Sequence, residues 1–80
     1  MNTEIYNTIK KLLIDNLQVD ESIITPEAEL VNDLGVNSLE LADLILLCED
    51  TFNIEVDDTV IGNFITVEDV CKYLESITDK

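Results

Sequence analysis

One serine of this chain stands where an attached group is easily presented to other proteins. Ser38 comes three positions after Gly35, and apolar and acidic residues alternate behind it. Asn37 suits a helix N-cap and Glu40 has the spacing of a capping box, so the pattern predicts that Ser38 begins a helix. A helix N-terminus offers unpaired N–H groups and a positive dipole end, which tolerate a phosphodiester. Ser38 is therefore a candidate modification site, and its interpretation as a plain helix-start residue stays open.

Catalysis by Ser38 is disfavoured by what the chain lacks. A serine nucleophile needs a neighbouring base, yet the chain contains no histidine, and the lysine nearest in sequence is Lys11. The second glycine of a nucleophile elbow is also missing. We therefore predict that the protein is not an enzyme.

The two cysteines fit a core better than a metal site. Cys48 and Cys71 fall at apolar positions of helical patterns, and the chain has no C-x-x-C pair. Without histidine, a zinc site would lack its usual nitrogen ligands. We expect both cysteines to be small core residues and expect no bound metal.

The charge of the chain narrows the choice of partner. Eighteen acidic residues face four lysines, and the net charge is -14. Such a field repels phosphate backbones and anionic membranes, so we expect neither nucleic acid nor membrane as a partner. It favours encounters with basic protein surfaces, although the acid would also serve solubility alone.

The length predicts one domain, residues 1–80, and the composition predicts its cellular location. No apolar run approaches the roughly 18 residues of a membrane-spanning helix, and residues 1–4 lack the basic start of a signal peptide. We expect a cytoplasmic protein.

Apolar spacing predicts an all-α fold. The i, i+3, i+4 pattern indicates three longer helices, at about 3–17, 38–52 and 66–77, and a short helix at 57–61. Four helices in this length predict a small four-helix bundle with a long first loop.

The long connection, 18–37, should wrap the bundle with apolar anchors turned inward. A short helical turn is expected at Thr25-Pro26-Glu27, because proline suits the first helical position. Gly35 is expected at a sharp bend. The expected anchors are Val19, Ile23, Ile24, Leu30, Val31 and Leu34.

Segment 33–40, Asp-Leu-Gly-Val-Asn-Ser-Leu-Glu, resembles the phosphopantetheine attachment segment of acyl carrier proteins. The resemblance continues through 44–56, which is similar to the recognition helix of that family, and through 66–70, which matches the start of its last helix. It implies an acyl-carrier-protein-like fold in which Ser38 carries 4′-phosphopantetheine, added from coenzyme A by a phosphopantetheinyl transferase. The thiol of that arm would hold acyl groups as thioesters and present them to enzymes of fatty acid, polyketide or specialised lipid biosynthesis.

The resemblance also implies a partner surface on the second helix, where synthase and ligase enzymes would dock basic patches. An acidic rim around a small apolar centre favours fast association and modest affinity. A shuttle of this kind is most simply a monomer. The candidate docking residues are Asn37, Leu39, Glu40, Ala42, Asp43, Leu46, Glu49 and Asp50.

In the family, the acyl chain is held between the second and third helices. The residues of this chain that suit such a lining are also ordinary core candidates. They are Leu46, Leu47, Ile54, Val60, Ile61 and Ile65.

Asn37 departs from the family pattern, which usually has aspartate before the modified serine. Asparagine keeps the capping oxygen but loses a charge that meets a basic residue of the transferase, so the departure bears on which transferase recognises the chain. Two alternatives to an acyl carrier stay open. One is a free-standing aminoacyl or peptidyl carrier, and the other is an unmodified acidic interaction module.

Overall fold

The computed structural model describes residues 3–78 and confirms the all-α fold. Three long helices and one short helix follow in the predicted order, and a single 3-10 turn lies in the first connection. The elements are α1 (Thr3–Leu17), the 3-10 turn Glu21–Ile23, α2 (Ser38–Phe52), α3 (Asp58–Ile61) and α4 (Val67–Thr78). Among the described residues, no helix has the length and apolar character that crossing a bilayer requires.

The apolar stripes of the three long helices meet in one core. α1 packs against both α2 and α4, while α3 packs on α2. Spacing of three and four residues puts the buried side chains of each helix on one face, which is why each helix turns a single stripe inward. The fully buried side chains at the centre include Ile9, Leu13, Leu44, Cys48, Val70, Cys71 and Leu74.

Both cysteines are free thiols in this core, as expected. Burial raises the pKa of the Cys48 thiol to about 12 and that of the Cys71 thiol to about 11. A thiol must lose its proton to act as a nucleophile. Both side chains therefore act as small core residues at neutral pH.

Four of the six predicted anchors hold the first connection, together with two residues that were not predicted. Val19, Ile24, Leu30 and Leu34 are buried as expected. The prediction was wrong for Ile23, which is 45% exposed at the end of the 3-10 turn, and for Val31, which is 57% exposed beside the inward-facing Leu30. A loop without regular periodicity does not reveal which of two adjacent apolar residues turns inward. Two small side chains that were not predicted are buried instead, Ala28 and Val36.

The helical turn expected at Thr25-Pro26-Glu27 is a reverse turn, in which the Ala28 N–H donates to the Thr25 carbonyl at 3.1 Å. The 3-10 turn comes earlier because Asp20 caps it: the Asp20 carboxylate accepts the Ser22 N–H at 2.9 Å. An aspartate whose side chain accepts a backbone N–H two residues later favours a turn at that point, so the helical turn forms after Asp20 rather than at Pro26.

Candidate functional site

A glycine bend delivers the chain to the start of α2. Gly35 has a φ of 71°, in the left-handed region that suits glycine, as the sequence predicted. Leu34 and Val36 on either side are buried, and the Val36 N–H donates to the Leu30 carbonyl at 2.8 Å. The bend is therefore anchored from both sides, and the chain leaves the core at Asn37.

The predicted capping box at α2 is confirmed. Asn37 is extended, with φ -85° and ψ 175°, and its side-chain oxygen accepts the Glu40 N–H at 2.8 Å. In return the Glu40 carboxylate accepts the Asn37 N–H at 3.1 Å. The box stops α2 from extending backward and sets Ser38 as its first helical residue.

Two amide groups at this helix start are left open. The box occupies the N–H groups of Asn37 and Glu40, and none of the hydrogen bonds found among residues 3–78 uses the N–H of Ser38 or Leu39. The Ser38 side chain is exposed, and Leu39 is 77% exposed. The positive end of the α2 dipole therefore faces solvent beside the Ser38 hydroxyl, an arrangement that suits an anionic group attached there.

A second capping box starts α4. Thr66 Oγ1 accepts the Asp69 N–H at 3.2 Å, and the Asp69 carboxylate accepts the Thr66 N–H at 3.0 Å. Here the first connection supplies further acceptors: Val67 donates to the Ala28 carbonyl and Glu68 to the Pro26 carbonyl. Hydrogen bonding from the Thr66 backbone holds the pKa of Asp69 below its usual value.

The outward face of α2 is acidic and partly apolar. Leu39 and Leu46 are exposed there, at 77% and 61%, and Asp43 and Asp50 lie beside them. Ala42 is half-buried at the edge of this face. Residues 12–71 contain neither lysine nor arginine, so no basic side chain of that stretch neutralises the face.

The four acids of α2 that were predicted to meet partners are not equivalent. Glu40 is tied into the capping box, and the Glu49 carboxylate accepts the Val56 N–H at 2.8 Å. Asp43 and Asp50 are exposed and take part in no hydrogen bond or ion pair with any of residues 3–78. The sequence did not separate these two pairs, because the partner of Glu49 lies in an irregular segment seven residues later.

A groove of about 440 Å³ runs between the end of α1 and α2. Leu46 and Leu47, predicted as acyl-pocket residues facing α3, line this groove on the side of α1. Its apolar floor is flanked by two acids. The lining residues are Asn16, Leu17, Asp43, Leu46, Leu47 and Asp50.

The other predicted pocket residues lie on the α3 side. Ile54, Val60 and Ile61 are partly buried, and each packs against the core. Ile65 is 58% exposed in the connection to α4. Within the part of the chain that the structure describes, no cluster of three or more potential ligands is placed to hold a metal ion.

Comparison with known proteins identifies the same family that segment 33–40 resembles. The family model described as "Phosphopantetheine attachment site" matches residues 7–74. The chain is 42% identical to the acyl carrier protein of Thermotoga maritima over 72 residues, which cover 90% of this chain and 89% of that protein. It is 41% identical to the acyl carrier protein of Helicobacter pylori over 71 residues (89% and 91%) and 32% identical to that of Campylobacter lari over 73 residues (91% and 95%).

The chain belongs to the acyl carrier protein family, in which the phosphopantetheine attachment domain carries a covalently attached 4′-phosphopantetheine. Acyl carrier proteins are carriers rather than enzymes. They interact with phosphopantetheinyl transferases and with acyl-handling enzymes.

Proposed function

We propose that residues 1–80 act as one carrier domain and that Ser38 is its attachment site for 4′-phosphopantetheine. The observation that carries this proposal is the open start of α2, where the Ser38 hydroxyl is exposed and the N–H groups of Ser38 and Leu39 have no acceptor among residues 3–78. A phosphodiester at Ser38 Oγ is stabilised by the positive end of the helix dipole and by hydrogen bonds from these two N–H groups. The bound arm supplies a thiol, on which an acyl group is held as a thioester.

The outward face of α2 is the docking surface in this proposal. Asp43 and Asp50 are free to meet lysine and arginine side chains of a partner, and the exposed Leu39 and Leu46 give an apolar contact between them. Carboxylates that form no bond within residues 3–78 accelerate association with a basic partner and still allow the complex to dissociate quickly. Asn37, Glu40, Ala42 and Glu49 border the same face, and transferases and acyl-handling enzymes are the expected partners.

Apolar cargo is proposed to rest against α2, α3 and the connections beside them. Ile54, Val60 and Ile61 are partly buried there, while Ile65 is exposed in the connection from α3 to α4. Leu46 and Leu47 line the groove on the opposite edge of α2, so they serve cargo only if the acyl chain reaches that side.

The proposed role is to shuttle acyl groups between enzymes of fatty acid or related biosynthesis, as a monomer in the cytoplasm. Relatives named acyl carrier proteins in three bacteria support this role. The net charge of -14 disfavours self-association and favours brief contact with basic enzymes.

The test is the intact mass of the apo protein before and after incubation with coenzyme A, magnesium and a broad-specificity phosphopantetheinyl transferase. We expect a gain of one phosphopantetheine in the parent chain and in Ser76→Ala, and no gain in Ser38→Ala. Ser76 is the matched control because it is also an exposed helical serine, whose hydroxyl donates to the Tyr73 carbonyl at 2.6 Å.

A folded parent chain that gains no mass with a general phosphopantetheinyl transferase, or with one that docks through a basic patch, would contradict the carrier proposal. The protein would then be interpreted as an unmodified interaction module. A mass gain followed by loading with an amino acid rather than an acyl group would point to an aminoacyl carrier. The first outcome is read from these spectra, and the second from the intact mass after a further incubation with an acyl or aminoacyl loading enzyme and its substrates.

A further inference from the structure

Glu49 forms hydrogen bonds to the connection between α2 and α3 through both its backbone carbonyl and its side-chain carboxylate. Its carbonyl oxygen accepts the N–H of Asn53, which caps α2, and the N–H of Ile54 at 3.0 Å. Its carboxylate accepts the N–H of Val56 at 2.8 Å. Asn53 itself is left-handed, with φ 56°, so the chain turns back at this point. Most of the short segment that leads to α3 is thus bound to one residue.

The hydrogen bond to Val56 lies at the edge of the core. The Val56 side chain is 8% exposed, and the bond is partly buried. A backbone N–H that loses its acceptor in such a place carries a desolvation penalty. The Glu49 carboxylate therefore favours the arrangement in which Val56 stays inserted.

α3 has little else to hold it in position. It is four residues long, and none of its residues is fully buried. Its caps are local, since Asp57 accepts the Thr59 N–H and Gly62 donates to Val60. These bonds shape the helix without joining it to the bundle. Its seat on α2 depends on the partly buried Val60 and Ile61 and on the segments that flank it.

Position around α2 separates Glu49 from the acids of the docking surface. Successive helical residues are turned by about 100°, so Glu49 points toward the edge next to α3 while Asp50 points outward. Glu49 is half-buried, and Asp50 is exposed. One carboxylate is committed to the fold, whereas its neighbour in sequence has no partner among residues 3–78.

We infer that Glu49 is a positioning residue: by accepting the Val56 N–H, its carboxylate seats α3 on α2. The consequence for cargo rests on the function proposed above. Ile54, Val60 and Ile61 belong to the segment that this bond holds, so losing the bond exposes an apolar cargo that rests against them.

The first test is amide hydrogen exchange, followed by NMR on the apo protein, in Glu49→Ala, Glu49→Gln and Asp50→Asn. Losing a hydrogen bond to a charged acceptor should speed exchange of the Val56 amide by about tenfold or more in Glu49→Ala. Glu49→Gln keeps a neutral acceptor and should rescue part of this protection. Asp50→Asn removes the same charge as Glu49→Gln and should leave Val56 unchanged.

Faster exchange confined to residues 54–61 supports the inference. An unchanged Val56 amide would overturn it, and so would an equal effect in Asp50→Asn. A rise spread evenly over α1 and α4 would also overturn it, because Glu49 would then stabilise the whole bundle rather than position α3.

The second test measures cleavage of the thioester by hydroxylamine in the loaded carrier. With an eight-carbon acyl chain, Glu49→Ala should be cleaved several-fold faster than the parent chain. Asp15→Asn, which removes an exposed acid of α1 outside the docking surface, should match the parent. With an acetyl group, which is too short to rest against the bundle, all variants should agree. Equal rates with the long chain would overturn the role in cargo protection. The exchange experiment needs no attached arm, so it stands even if Ser38 proves not to be modified.

Discussion

Two helices of this protein begin with the same local device and end up in opposite situations. At α2, the box formed by Asn37 and Glu40 leaves the N–H groups of the two residues between them without an acceptor in the part of the chain that the structure describes. At α4, the box formed by Thr66 and Asp69 is completed by the first connection, whose carbonyl groups accept the N–H of the two residues between them. One helix start is closed by the fold, and the other is open to solvent.

The difference shows that a capping box alone does not mark a functional site. The start of α4 belongs to the core, because Val67, its first residue, is fully buried. The start of α2 projects from an anchored glycine bend with its serine exposed. The attachment proposed at Ser38 fits this second situation, in which a hydroxyl group and two backbone N–H groups without an acceptor among residues 3–78 face the solvent together.

The largest expected effect separates the two starts by packing. Val67→Ala removes two buried carbon atoms and should lower the free energy of unfolding by about 2 kcal/mol. Leu39→Ala removes more atoms from an exposed position and should change it by less than about 0.5 kcal/mol. Urea denaturation measures both. Equal losses would mean that the start of α2 is packed as tightly as the start of α4, which would contradict the difference described between the two helix starts.

A charge placed at the open start should act on the transferase. Asn37→Asp keeps the capping oxygen and restores the charge usual in the family, so a general phosphopantetheinyl transferase should modify this variant with a kcat/KM about tenfold higher. The measurement is the initial rate of mass gain at limiting carrier concentration. If the rate is unchanged, Asn37 does not determine transferase choice.

Cap deletions should cost similar stability but differ in where the helix opens. Asn37→Ala and Thr66→Ala should each lower the free energy of unfolding by about 1 kcal/mol. In Asn37→Ala the Glu40 amide should exchange faster, because its acceptor is gone. In Thr66→Ala the amides of Val67 and Glu68 should stay protected by the loop carbonyls. Amide exchange followed by NMR checks both, and loss of protection at Val67 would show that the loop does not hold α4.

The smallest effect is a pH dependence at the closed start. The pKa of Asp69 is depressed in the folded protein by hydrogen bonding from Thr66. Its contribution to stability is therefore present above its unfolded pKa of about 3.8 and is lost as the pH falls through the lower folded value. The stability difference between the parent chain and Asp69→Asn should be constant near neutral pH and shrink below this range. A difference that grows on acidification would contradict the assignment.

Local sequence signals predicted the helices and the capping box at the start of α2 well, whereas contacts between distant segments could not be predicted from them. The bounds of α2 and its box follow from Asn37, Glu40 and the apolar stripe, all within one helix. Ile23 and Val31 were wrong as anchors because nothing periodic in the loop orients them. The tie between Glu49 and Val56 depends on a turn whose geometry has no signature in the sequence.

The most direct test of the account is to locate the attached arm. After modification, complete cleavage by a glutamyl endopeptidase releases residues 30–40, in which Ser38 is the sole hydroxyl-bearing residue. We predict that this fragment, and no other, carries the mass of one phosphopantetheine. The added mass on any fragment outside residues 30–40, in a folded protein, would contradict the claim that the open start of α2 is the attachment site.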